Sequence, residues 1–269
     1  MDEYPWVADV ASGEDSDLDV DQIRAGLAGS LLGNPLVYFP AIDSTNSWLK
    51  ALATPDAQEG MVAITDNQMA GRGRIGRQWK VMPRQQLTFS ILTRPPCAPH
   101  LLMMASALAV VAALDTVAAV SADIKWPNDV LISGKKVCGI LIETTSAVAI
   151  VGIGLNVNGS LEADVELGGN ATTLQDVTGN HLSRERLAIA IISNLDDLYS
   201  KLKAGGLPAQ QQIRRLWSER LTMLGRPVRV VQNGTVVEGI AEAVDEDGAL
   251  LVRGDDGVRH TITWGDVSA

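Results

Sequence analysis

The chain has 269 residues, 46% of them hydrophobic and only 4% aromatic, with a formal net charge of −10. That length holds one large domain, or a large one with a small companion, and two cysteines, Cys97 and Cys138, exclude a disulfide framework and fit a reducing compartment. The charge is local, because Asp2, Glu3, Asp9, Glu14, Asp15, Asp17, Asp19 and Asp21 are accompanied by no Lys or Arg within residues 1–21, and the body of the chain is nearly neutral.

Residues 1–35 read as an acidic, disordered head with a short helix over 21–32. The acidic start lacks the basic residues and apolar run of a secretory signal, which points to the cytoplasm. His100, His181 and His260 are scattered, and no metal-ligand spacing appears. A first strand is expected over 36–40. Ser44-Thr45-Asn46 then supplies the N-cap of a helix that ends near Thr54-Pro55. The same three side chains at a helix start also suit a small polar ligand head. Residues 61–66 read as a strand that runs through Asn67-Gln68-Met69-Ala70 into Gly71-Arg72-Gly73-Arg74-Ile75-Gly76-Arg77-Gln78-Trp79.

This last stretch is the densest chemical signal in the chain. Arg72, Arg74, Arg77, Lys80 and Arg84 follow one another with no acid among them. Guanidinium forks match phosphate and carboxylate oxygens, and glycines let a backbone bend tightly against a ligand, so the expected partner is a nucleotide phosphate. Gly71, Gly73 and Gly76 also spell the dinucleotide fingerprint, but that motif needs an apolar helix behind it, and Arg-Gln-Trp-Lys-Val-Met-Pro is not one. A solvated basic loop is the plain alternative. A nucleic-acid-binding loop is another, weakened because nothing nearby is suited to reading bases.

A second strand over 85–94 ends at Pro95-Pro96. Residues 101–120 are apolar enough to raise the question of a membrane span, but Ser106, Asp115, Thr116 and the Ala/Val content read better as a helix buried in an α/β core. Residues 123–132 form a strand, a turn at Pro127-Asn128 and another strand, presenting Lys125 and Asp129. Residues 136–143 and 147–157 read as a hairpin of apolar strands, in which Gly152-Ile153-Gly154 marks close approach by a ligand or another backbone. A long helix over 183–203 has Ser183 as N-cap, Leu187, Ile191, Leu195 and Leu198 on one stripe, and a stop at Gly205-Gly206. A further helix covers 210–221. Beyond Met223, strands over 228–231, 236–240, 249–252 and 260–263 alternate with turns at Gln232-Asn233-Gly234, Asp247-Gly248 and Asp256-Gly257, the pattern of a small β-barrel like SH3.

Five of these stretches, taken in order, resemble a biotin protein ligase. They are Ser44-Thr45-Asn46, Gln68 with the loop 71–79, Lys125-Trp126-Pro127-Asn128-Asp129, residues 136–143 ending in Glu143, and Gly152-Ile153-Gly154-Leu155-Asn156-Val157. The resemblance covers residues 36–269 and is to a short form without an N-terminal DNA-binding domain. It implies an α+β fold: a mixed β-sheet flanked by helices, of the class II aminoacyl-tRNA synthetase and biotin–lipoate ligase kind, over 36–221, and an SH3-like barrel over 222–269. It also implies activation of biotin with Mg²⁺ and ATP to biotinyl-5′-AMP, then transfer to a lysine of the biotin carboxyl carrier domain of an acyl-CoA carboxylase.

By the same resemblance, Ser44, Thr45, Asn46, Gln68, Gly71, Arg72, Gly73, Lys136, Gly139, Gly152 and Gly154 bind biotin. Arg74, Arg77, Trp79, Lys125, Asn128, Lys136 and Asn156 bind ATP. Lys136, Arg74 and Asp129 are the expected catalytic residues, Lys136 contacting both the biotin carboxylate and the α-phosphate, and no side chain is expected to ligate the metal. Ile75 stands where many family members carry Arg or His, so that side chain is not essential here. Neither DNA nor membrane is expected as a partner, since an acidic head suits DNA phosphates poorly. Lipoate or octanoate protein ligase is the alternative within the fold, and Lys125–Asp129 together with the Gly-Arg loop favours biotin.

Overall fold

The computed structural model describes residues 18–145, 148–161, 169–232 and 234–268; most of the acidic head and Asn233 of one expected turn lie outside them. The short helix of the head is α1 (Val20–Gly26), capped by Asp19, whose carboxylate accepts from Gln22 N at 2.8 Å. Leu18, Ile23, Leu27 and Leu32 belong to the main buried core. From residue 18 onward the head is therefore part of the folded body, a correction to the disordered reading. Only Ile23 of these four lies within α1; Leu18, Leu27 and Leu32 are buried from the segments that flank it.

Seven strands follow: β1 (Leu36–Phe39), β2 (Val62–Thr65), β3 (Gln86–Thr93), β4 (Asp123–Lys125), β5 (Asp129–Ile132), β6 (Lys135–Thr144) and β7 (Ala149–Asn156). They form one mixed sheet in the order β1-β2-β3-β7-β6-β5-β4, with only β1 and β2 parallel. The period-2 alternation of a strand divides β3 between two faces. Leu87, Phe89 and Ile91 join the main core, and Thr88 and Ser90 face the opposite side.

The main core is closed by α3 (Pro99–Ala113), which continues as a wide turn over Leu114–Ala118, and by α5 (Arg184–Ser218). The Pro99–Ala118 run is the one helix among the described residues long and apolar enough to cross a bilayer, and here it is largely buried against the sheet and α5. Leu187, Ile191 and Leu195 of α5 lie in the core, and its 35 residues break at Gly206 (φ 51°, ψ −141°). Gly205-Gly206 thus separates two helices as expected. On the other face, α2 (Thr45–Ala51) packs Leu49 against Met61, Ala63, Leu92 and Ile150. A short α4 (Leu174–Thr178) precedes α5.

The C-terminal part is a five-stranded antiparallel sheet: β8 (Pro227–Gln232), β9 (Thr235–Val244), β10 (Leu250–Arg253), β11 (Arg259–Ile262) and β12 (Asp266–Ser268), ordered β11-β10-β9-β8-β12. Its last strand escaped the sequence reading because it has only three residues. The C-terminal antiparallel sheet domain is present as expected, and among the described residues no pairing of β11 with β12 closes it into a barrel. Val228, Val230, Ala241 and Leu250 continue the core of the larger part. The turn between β9 and β10 is held by Trp126 Nε1, which donates to Gly248 O at 2.9 Å, and by Arg214, which donates to Glu246 O at 2.8 Å.

Candidate active site

Register across the sheet aligns Thr88, Gly154, Gly139 and Asp129 in one row, and Ser90, Gly152 and Leu141 in the next row of the same face. The glycines leave this floor without side chains. A Cβ at Gly154 would stand 2.5 Å from Trp79 Cε2, one at Gly139 3.0 Å from Trp79 Cζ3, and one at Gly152 2.3 Å from Asn46 Oδ1. Neighbouring side chains therefore lie directly on bare backbone, the close approach that Gly152-Ile153-Gly154 suggested. Over this floor opens a cleft of about 340 Å³.

One wall is the start of α2. Ser44 Oγ caps the helix by accepting from Ser47 N at 3.3 Å, and Ser44, Thr45 and Asn46 are all buried. Thr45 N donates to Gln68 Oε1 at 3.0 Å, Thr45 Oγ1 lies 3.2 Å from that oxygen and 2.6 Å from Ser90 Oγ, and Ser90 Oγ donates to Asn46 Oδ1 at 2.5 Å. The result is a shelf of placed donors and acceptors, suited to a small polar head rather than to a charge.

The second wall is the arginine loop, which folds back on itself. Gly73 N donates to Arg77 O, Arg77 N to Arg74 O and Trp79 N to Gly71 O, and Arg74–Gly76 makes one tight turn. Ile75 caps that turn with φ 55° and a side chain 59% exposed, consistent with a side chain that contacts no ligand. Arg72 pairs with Glu143 at 2.6 Å, Arg74 Nη1 donates to Asn128 Oδ1 at 2.9 Å, and Arg77 pairs with Asp266 of β12. Burial lowers the proton affinity of the Arg74 guanidinium, Asp129 and Asp266 oppose that, and Arg77 adds to it.

The remaining wall is the β4–β5 hairpin with β6. Lys125 and Asp129 are register partners, and Lys136 Nζ sits 2.7 Å from Asp129 Oδ1. This is an ion-pair contact without hydrogen-bond alignment, and Asp129 Oδ1 is buried with no hydrogen-bond donor. Lys136 Nζ also lies 5.5 Å from the centre of the Trp79 ring. Its backbone is clamped to residues 170 and 172 by bonds of 2.8 and 2.9 Å. Gly265, Asp266 and Val267 of the C-terminal sheet complete the rim.

The structure thus gathers Ser44, Thr45, Asn46, Gln68, Arg72, Gly73, Arg74, Arg77, Trp79, Lys125, Asn128, Asp129, Lys136, Gly139, Gly152 and Gly154 on one cleft. Two expected residues stand outside it. Gly71 is buried where the loop crosses itself, a Cβ there falling 2.4 Å from Trp79 O. Asn156 is spent on internal bonds, donating to Thr172 O and accepting from Gln86 Nε2, both at 3.0 Å. Gln86 and Gly71 line a second cavity of about 510 Å³, and Trp79 borders both cavities.

Sequence reasoning missed Glu143, Thr88, Ser90 and the 265–267 segment. Thr88 and Ser90 were detectable, since polar residues alternating with Leu87, Phe89 and Ile91 in a buried strand need polar company. Among the described residues no group of three or more His, Cys, Asp or Glu is placed to hold a metal ion. The two carboxylates on the cleft, Asp129 and Asp266, each already face a cation.

A glycine floor, a polar shelf and a cationic lid on a mixed sheet define an acid-activating ligase domain with an appended C-terminal sheet. Residues 38–159 match the Biotin/lipoate A/B protein ligase family, and residues 223–269 match the Biotin protein ligase C terminal domain. The chain is 34% identical over 261 residues to a biotin–[acetyl-CoA-carboxylase] ligase of Mycobacterium tuberculosis, covering 93% of this chain and 95% of that protein. It is 33% identical over 253 residues to the bifunctional ligase/repressor BirA of Bacillus subtilis, covering 90% and 76%. Biotin protein ligase from Aquifex aeolicus, solved in complex with biotin and ATP, superposes with a TM-score of 0.76 at 29% identity over 87% of this chain and 97% of that one. The chain belongs to the biotin protein ligase family and is a ligase.

Proposed function

We propose that this cleft joins biotin to ATP as biotinyl-5′-AMP and then passes the biotinyl group to one lysine of the biotin carboxyl carrier domain of an acyl-CoA carboxylase. The observation that carries this reading is that Lys136 lines a glycine-floored cleft together with Arg72, Arg74, Arg77 and Lys125. In the first step a biotin carboxylate oxygen attacks the α-phosphorus and pyrophosphate leaves. Two anions must meet, so fixed cations aimed at the developing charge lower the barrier. Lys136 is rigidly anchored and serves both reactants; Arg74, Arg77 and Lys125 serve the phosphates.

Biotin's neutral ureido head suits the shelf of Thr45, Gln68 and Ser90, and its rings suit bare backbone at Gly139, Gly152 and Gly154. Because Trp79 lies on Gly139 and Gly154, a ring using that floor must displace the indole, whose other side borders the second cavity. In this reading the second cavity takes the base, with Asn156 acting through Gln86. In the second step the acceptor amine attacks the acyl carbon, AMP leaves, and Asp129 is placed to orient the amine and take its proton. Mg²⁺ would enter with ATP as substrate, held by phosphate oxygens and water; among the described residues no group of three or more His, Cys, Asp or Glu is placed to hold it. Cytoplasmic residence belongs to the same reading, with Cys97 and Cys138 as unpaired thiols.

Arg74 ties the loop to Asn128 across the cleft mouth, so it retains a mixed anhydride that water and stray amines would consume. Replacing Arg74 with Ala is expected to release biotinyl-5′-AMP and label lysines of a bystander such as serum albumin, read by avidin blot. Acceptor selectivity equal to that of the parent protein would count against this role.

A further inference from the structure

Glu143 lies near the C-terminal end of β6 and is contacted from two walls of the cleft, the start of α2 and the arginine loop. Arg72 Nη2 of the loop approaches Glu143 Oε2 at 2.6 Å, Asn46 Nδ2 of α2 donates to the same oxygen at 3.0 Å, and Lys50 Nζ donates to Oε1 at 3.2 Å. A carboxylate can only accept, so the Asn46 amide must turn its NH₂ toward Glu143. Its Oδ1 is then fixed toward Ser90, making Ser90 the donor at 2.5 Å and leaving Ser90 Oγ to accept from Thr45 at 2.6 Å. One anion thereby sets the proton directions along the whole shelf and docks the first arginine of the loop beside it.

We propose that Glu143 is a positioning residue, one that couples occupancy of the polar shelf to docking of the arginine loop. The inference rests on the reading of this cleft as a biotin site. Burial alone would raise the Glu143 carboxyl, but the bonds from Asn46 and Lys50 and the charge of Arg72 outweigh it and hold it below the usual carboxylate range. The brace is therefore ionised at neutral pH. Lys50 projects from the exposed side of α2 and touches Glu143 away from the shelf, so it separates the brace's charge from its geometry.

The test is biotin-dependent ATP–pyrophosphate exchange by the full chain carrying Glu143→Gln. A glutamine can present NH₂ to Asn46, so the amide is free to turn and the shelf loses its fixed pattern. The expected result is a biotin KM raised about tenfold or more, an ATP KM changed less than threefold and a kcat at saturating biotin reduced less than threefold. Lys50→Met should leave the biotin KM within twofold. A merely structural residue would instead lower kcat and thermal stability without this split, and an unchanged biotin KM in the folded Glu143→Gln protein overturns the proposal. Should that variant fold poorly, Glu143→Asp, which keeps the charge and shortens the reach to Asn46 and Arg72, decides instead: a raised biotin KM with the ATP KM little changed supports the brace, and an unchanged biotin KM opposes it. Exchange by the parent chain with biotin, measured first, keeps failure of the site reading separate from failure of this inference.

Discussion

Replacing Lys136 with Met is expected to lower kcat for biotin-dependent pyrophosphate exchange by about 10²–10³-fold, the loss typical of removing one preorganised charge-stabilising group. The substitution keeps the length of the apolar stem and removes only the ammonium, which stands 2.7 Å from Asp129 and is held by a strand clamped at both backbone atoms. The ion pair is partly exposed, with side chains 32% and 22% accessible, so its loss should leave the fold intact. Because the charge it stabilises is greatest in the transition state, kcat should fall while KM for ATP changes little. A loss below tenfold, or one confined to KM, would remove Lys136 from the chemical step and leave it a binding residue.

A second large effect concerns stability and lies behind the loop. Arg184 Nη1 pairs with Asp66 Oδ1 at 2.6 Å, Tyr38 Oη donates to Asp66 Oδ2 at 2.7 Å, and both Arg184 and Asp66 are about 5% exposed or less. Asp66 follows β2, and its carbonyl accepts from Arg84 N at 2.9 Å, so this pair stands where the arginine-loop segment leaves and rejoins the sheet. Arg184→Met removes the cation facing a buried carboxylate that keeps its Tyr38 bond, and is expected to cost about 3–5 kcal/mol, lowering Tm by on the order of 10 °C in a chain of this size. Adding Asp66→Leu should restore part of that loss, because two apolar groups no longer leave a buried charge alone. A Tm within 2 °C of the parent in Arg184→Met, taken as roughly half a kcal/mol, would show that the pair is replaceable by solvent.

Much of the sheet was legible because its strands are apolar runs bounded by turn residues, and Gly205-Gly206 marked the break in α5 by its composition alone. The cleft was legible because its chemistry is concentrated in short stretches. Cations in the loop, glycines in β6 and β7 and the caps of α2 each carry a local signal. What stayed hidden depends on partners distant in sequence. Glu143 only ends a resembling strand, with no role of its own, until Arg72, Asn46 and Lys50 converge on it from 71, 97 and 93 positions away. Asp266 sits in a strand too short to predict, and reaches the cleft because a shared apolar core, with Trp126 and Arg214, docks the C-terminal sheet. Leu18, Ile23, Leu27 and Leu32 were obscured by the neighbouring acids, and three of them pack from outside the seven-residue helix, where no period signals burial. Closure of a barrel is a matter of long-range pairing, which turn residues alone do not specify.

The central claim, that this cleft activates biotin with ATP, is tested most directly by ATP–pyrophosphate exchange measured with biotin, lipoate and octanoate in parallel. Exchange that depends on biotin and is absent with the other two acids is the predicted result. Exchange with lipoate or octanoate and none with biotin would contradict the assignment of the acid while leaving adenylate chemistry in place, and silence with all three from folded protein supplied with Mg²⁺ would contradict the account of the cleft itself.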